Sequence, residues 1–298
     1  MSRRLLLGVV VVLIVTNITT LLAWNKDENV AIDGTKAKID SGKPVATIGD
    51  EEISYNDWMQ SLRDVHGKSL LKQLVDHKLV GQLASKRNIE VNEKVIDREI
   101  ALLTTMQGIM TEEETEVKEK KWRKNIVYRY QLMALLAEDT MVDESEIRAY
   151  YNGYQKQYDF QASMQISHIV VSDFKTAKKV IKELNDGASF KLLANEYSID
   201  EETKSAGGYL GFFVNSSQFL PNGYEEIAQE MEQRSYSEPF KSDRGVSIIY
   251  LHRKLPSITF TYDEIKPYVK EELALEKNGL SLTANSLWDN ADIEWVFE

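Results

Sequence analysis

Two runs of alternating residues bracket positions 165–251, and they restrict the fold more than any other feature of the chain. The first, Gln165-Ile166-Ser167-His168-Ile169-Val170-Val171, reads as a strand. Successive strand side chains face opposite ways, so Ile166, His168 and Val170 share one face while Ser167, Ile169 and Val171 share the other. The last run sets Ser247, Ile249 and Leu251 against Val246, Ile248, Tyr250 and His252. Between the two, Phe174, Ala177, Val180, Ile181 and Leu184 recur at helical spacing, and Gly187 supplies a stop. Ser189 opens a second helix with Phe190, Leu193, Ala194 and Tyr197 on its inner side, and a Gly207-Gly208 turn follows. The pattern predicts an α+β layer, a small antiparallel sheet with helices packed on it.

The flanks are helical. A short strand pattern at Val45-Ala46-Thr47-Ile48 ends in a Gly49-Asp50 turn, and Ser54 with Asp57 opens a helix carrying Trp58, Leu62 and Val65. Leu71, Leu74, Val75, Leu79 and Leu83 keep the helical period, as do Ile96, Ile100 and Leu103, and then Trp122, Ile126, Met133 and Leu136. The charged stretch 111–121 reads as a solvated turn or helix surface, and Asp143 with Glu146 opens a helix bearing Ile147, Tyr150, Tyr151 and Tyr154. After Pro256 the chain returns to helix from Tyr262 towards Leu280. That last helix is too short to form a domain, so it must pack on the earlier helices, leaving the sheet module inserted between two parts of one lobe. The expected divisions are 1–24, 25–44, 45–160, 161–254 and 255–298: membrane segment, linker, helical lobe, sheet module and closing helix.

A net charge of -11 over 298 residues argues against nucleic acid, because holding a phosphate backbone requires clustered Lys and Arg. Cysteine is absent, which removes disulfides, thiolate metal sites and a lipidated cysteine. His66, His77 and His252 show no metal-ligand spacing, and there is no phosphate-binding or dinucleotide fingerprint, so neither metal nor cofactor is expected. Arg3 and Arg4 precede an almost unbroken apolar run over 5–23, close to the roughly 20 residues a helix needs to span a bilayer, and Trp24 follows it. Leu21 and Leu22 before Ala23 make a poor cleavage site, which favours an uncleaved transmembrane anchor over a signal segment. The two arginines would remain cytoplasmic and the rest would lie outside.

The order of His168 strand, two helices, Tyr197-Ser198-Ile199-Asp200, Gly207-Gly208-Tyr209-Leu210-Gly211 and Gly245-Val246-Ser247-Ile248-Ile249 resembles the parvulin family of peptidyl-prolyl isomerases. Helices on both sides of such a module are similar to the PrsA and SurA class of bacterial extracytoplasmic foldases. By that resemblance His168 matches the first of two family histidines, and Asp200 falls where members carry Cys or Asp. Ser247 replaces the second histidine. Leu210, Tyr224 and either Phe219 or Leu220 match substrate-pocket hydrophobes, and Gln229 stands where a pocket Phe is usual. His168, Asp200 and Ser247 are thus the expected catalytic residues, and Leu210, Phe219, Leu220, Tyr224 and Gln229 the expected substrate-binding ones.

Such chemistry needs little. Rotation about an X-Pro bond crosses a barrier of roughly 18–20 kcal/mol without breaking a covalent bond, so the site has only to bind the twisted amide better than the planar one. The resemblance implies an isomerase anchored in the cell membrane, facing outward, and acting on unfolded or partly folded secreted polypeptides with X-Pro bonds. It also allows a homodimer. Ser247 and Gln229 favour a second expectation, a chaperone whose isomerase module has lost catalysis; a third is a non-catalytic scaffold that docks one folded partner.

Overall fold

The computed structural model describes residues 30–31, 38–215, 218–289 and 291–297. The apolar run at 5–23 lies outside them, and among the described residues no helix is long and apolar enough to cross a membrane. The described residues divide into two compact units, one holding those of Met1–Lys78 and Ile293–Glu298, the other those of Leu79–Asp292.

In the first unit, β1 (Ala46–Ile48) and β2 (Glu51–Ile53) form a hairpin around the positive-φ turn at Gly49. Helix α1 (Tyr55–Leu62) follows, capped by Ser54, whose Oγ accepts the Asp57 N–H at 3.1 Å. None of these strand or helix residues is fully buried. The two units divide near Lys78. Helix α2 (Lys68–Lys86) runs through that division.

The second unit contains the helical lobe and the sheet module. Helix α3 (Glu93–Thr105) is capped by Asn92, and α4 (Glu112–Ala137) by a Thr111–Glu114 capping box. The charged stretch 111–121 is therefore the solvent-facing start of a 26-residue helix. Helix α5 (Glu144–Tyr154) leads into the module. The helix Tyr262–Asn278 returns to the lobe, with Val95, Ile147, Tyr151, Tyr158, Ile265 and Val269 in one shared core. The entering and leaving chains run side by side, since Phe160 and Ile258 exchange backbone hydrogen bonds of 2.8 and 2.9 Å.

The module is an antiparallel sheet in the order β4-β3-β7-β5. Here β3 is Ser163–Val171, β4 Tyr209–Val214, β5 Ser235–Tyr236 and β7 Gly245–Leu255, while β6 (Phe240–Ser242) pairs with the start of β7. Every residue of β3 is buried, as expected of a central strand covered on both faces. One face carries Ile169, Val171, Val246 and Ile248 against α6 (Phe174–Asn185) and α7 (Phe190–Tyr197). The other carries Ile166, Ile249 and Leu251 against α8 (Tyr224–Glu230). The alternation in the sequence separates these two cores, and His168 lies on the α8 face.

Candidate active site

His168 lies mid-strand on β3, opposite Ile249 of β7, with no exposed side-chain surface. The β4 side approaches it closely: the His168 N–H donates to the Gly208 carbonyl at 2.8 Å, and a Cβ on Gly208 would lie 1.9 Å from the His168 carbonyl oxygen. Gly208 also has φ +75°, so only glycine meets both demands.

Both imidazole nitrogens are engaged. Nε2 is 2.8 Å from Asp200 Oδ2 and 3.0 Å from Thr203 Oγ1, while Nδ1 is 2.8 Å from the Tyr224 hydroxyl. That hydroxyl is 2.9 Å from Ser247 Oγ, which is 2.8 Å from Ser242 Oγ. A carboxylate beside Nε2 calls for the proton there, so Nδ1 accepts from Tyr224 and the phenol oxygen is free to accept from Ser247. With the proton on Nδ1, the Tyr224 proton turns to Ser247 instead. The first arrangement forms a continuous chain from Asp200 to Ser242.

Burial lowers the His168 pKa, only partly opposed by Asp200, and the ring is held neutral. At Asp200 burial works upwards, but the hydrogen bonds from Thr203 and His168 prevail and hold the carboxyl below its ordinary value. Arg244 Nη1 stands 3.5 Å from Asp200 Oδ1 with its side chain 42% exposed, whereas Asp200 is 11% exposed. The solvent-facing end of the chain is therefore the Asp200 carboxylate with Arg244. Tyr224 is fully buried, and burial pushes its phenol up to about 12.

Several expected residues meet here. Leu210 and Leu220 pack on the cluster of Ile166, Tyr224 and Ile249, where Phe240 also joins edge-on to Tyr224 at 5.4 Å. Of the Phe219 and Leu220 alternatives, Leu220 reaches that cluster, while Phe219 is 85% exposed. Ser247 bonds the phenol and not the imidazole, because Tyr224 stands between it and His168. Gln229 is not brought to the site. It lies on the exposed side of α8, donating to Glu225 Oε1 at 2.9 Å, because the helix turns it away from the buried Tyr224 and Ala228. Thr203, Ser242, Phe240 and Arg244 belong to the site without any sequence motif that marks them. The polar loop after Asp200 and the residues just before Gly245 were the available hints.

Residues 173–253 match the PPIC-type PPIase domain family of rotamases. Bacillus subtilis YacD, which carries the name of a peptidyl-prolyl cis-trans isomerase, is 35% identical over 258 residues, covering 86% of this chain and 86% of that protein. Foldase protein PrsA of Halalkalibacterium halodurans is 29% identical over 80% of this chain and 72% of its own. A crystal structure of PrsA from Bacillus cereus is 26% identical and covers 87% of this chain and 95% of that one, with a TM-score of 0.33. The chain belongs to the PPIC-type, or parvulin, family of peptidyl-prolyl isomerases.

Proposed function

We propose that the protein is an extracytoplasmic foldase that catalyses cis-trans isomerisation of X-Pro bonds in unfolded secreted polypeptides, anchored by the apolar segment 5–23. The observation that carries the reading is the buried chain from Asp200 through His168 and Tyr224 to Ser247, beside the apolar side chains of Leu210, Leu220 and Phe240.

The apolar wall takes the proline ring, and the Asp200–Arg244 end meets the amide. An anionic oxygen next to the carbonyl carbon, or a donor at the imide nitrogen, favours the twisted over the planar amide, which is all that the reaction requires. His168 has no exposed surface, so it acts as a positioning residue: it holds the Asp200 carboxylate through Nε2 and is itself held by Tyr224. The same burial favours a second reading, a holdase that binds unfolded chains without turnover.

The test is the cis-to-trans rate of short X-Pro peptides with the whole protein. Acceleration that falls in Asp200→Ala and in His168→Ala supports the isomerase. An unaltered protein that leaves the rate at its uncatalysed value, while still suppressing aggregation of an unfolded client, decides for the holdase.

A further inference from the structure

The chain contains three Asn-Gly steps: Asn152-Gly153, Asn222-Gly223 and Asn278-Gly279. Such a step is chemically labile, because glycine has no Cβ to shield its backbone nitrogen from attacking the side-chain amide carbon of the preceding Asn. A hydrogen bond from that N–H, or a rigid helix around it, holds the nitrogen back from the attack. Folding therefore decides which of the three reacts.

Two of them are guarded. Gly153 lies inside α5, where its N–H belongs to the helical ladder. Gly279 donates its N–H to the Glu276 carbonyl at 3.1 Å, and the Asn278 amide nitrogen is tied to Thr140 Oγ1 at 2.6 Å. Asn222-Gly223 is different. Residues 221–224 form a β-turn closed by a 3.2 Å bond from the Tyr224 N–H to the Pro221 carbonyl, with Gly223 at φ +86° and ψ −10°. Asn222 is exposed, and the Gly223 N–H donates to no acceptor among the described residues.

The position of this turn ties its chemistry to the active site. Gly223 caps α8 and immediately precedes Tyr224, whose hydroxyl holds His168 Nδ1 at 2.8 Å. The Asn222 N–H pins the turn to Asp243 Oδ1 at 3.2 Å, and Gly223 lies so near the Phe240 ring that a Cβ there would be 3.5 Å from it.

We propose that Asn222 is a site of spontaneous modification, converting through a cyclic imide with Gly223 into aspartate and isoaspartate, and that the products slow the enzyme by shifting the turn that carries Tyr224. In the first step the Gly223 nitrogen gives its proton to hydroxide or water and bonds Asn222 Cγ; the Cγ–Nδ2 bond breaks and ammonia leaves. Water then opens the imide at either carbonyl. Opening at Cγ leaves aspartate, whereas opening at the backbone carbonyl leaves isoaspartate, with the chain routed through Cβ and Cγ and so one carbon longer. Either product adds a negative charge next to Asp243, and isoaspartate also lengthens the tether to α8. The effect on rate rests on the isomerase reading; the modification itself does not.

The whole protein is incubated in mildly alkaline buffer and digested, and the three Asn-Gly peptides are followed by mass spectrometry. The 222–223 peptide is expected to gain one dalton and split into two products at least about tenfold faster than either of the others, whereas in denatured protein the three rates converge. A 222–223 rate no greater than the other two in the folded protein overturns the proposal. The X-Pro isomerisation rate is expected to fall in step with the isoaspartate fraction. Asn222→Gln, whose longer side chain disfavours the cyclic imide, is expected to keep its starting rate through the same incubation. Modified protein that retains its full rate overturns the link to Tyr224. An unaltered protein with no isomerase activity at the outset loses the isomerase reading, and the masses alone then decide the modification.

Discussion

Tyr224 is the residue on which the site turns, because its single hydroxyl touches both the His168 imidazole and Ser247. Tyr224→Phe leaves Nδ1 without a partner in a dry core, while Ser247 keeps Ser242. The expected outcome is a loss of about 1–3 kcal/mol in stability by denaturant titration and a roughly tenfold slower isomerisation, with the fold intact. Ser247 is fully buried beneath that phenol, so Ser247→His crowds the core. It should destabilise by about 1–3 kcal/mol and not accelerate turnover; a gain in rate on X-Pro peptides would show that Tyr224 is not the effective partner of His168. Gly208→Ala forces a methyl onto the His168 carbonyl oxygen, and the thermal midpoint should fall by the equivalent of about 3 kcal/mol or more.

At the scale of elements, the helix Tyr262–Asn278 joins the two ends of the lobe and carries a strongly perturbed acid, Glu271. Burial pushes the Glu271 pKa up to about 8, and one of its oxygens has no hydrogen-bond partner. A carboxyl with a raised folded pKa supports the fold fully below its unfolded value near 4.5 and withdraws that support as pH rises towards 8. Glu271→Gln keeps the shape and removes the charge. It should raise stability at pH 8 by about 2–4 kcal/mol relative to its effect at pH 4.5, read from melting curves across that range. The module is tied to the long helix of the lobe by Arg253, whose Nη1 lies 3.3 Å from Glu119, and by an Arg234–Glu112 pair. The exposed Arg234–Glu112 pair orients the module more than it stabilises it.

For the whole molecule, acid stability follows two imidazoles, the buried His168 and the half-buried His252. Burial holds His252 down to about 4 and lowers His168 as well, so the unfolded chain takes up protons before the native one does. The stability they supply is complete above about pH 6.5 and is lost as pH falls towards 4, on the order of 2–3 kcal/mol for His252. His252→Gln, which can still meet Ser167 Oγ, should flatten the acid limb of the stability–pH curve. An unchanged limb would assign it to carboxylates elsewhere.

The alternation of β3 and β7, the capping residue Ser54 and the glycines of the turn are local signals, and they made the α+β module, its helices and its two cores legible in the sequence. His168 and Asp200 were legible too, through a resemblance spanning several motifs in order. The site's wiring was not. Tyr224 meets His168 across 56 positions, and a chain pattern does not encode which hydroxyl of two will reach a given nitrogen. Gln229 is turned to solvent by the pitch of α8, and the long charged helix from Glu112 has no apolar stripe at its start to announce it. Backbone propensity and period act between near neighbours, so the sequence alone determines elements and their buried faces. Burial, pKa and hydrogen-bond partners depend on distances closed only by packing, and these the tertiary structure decided.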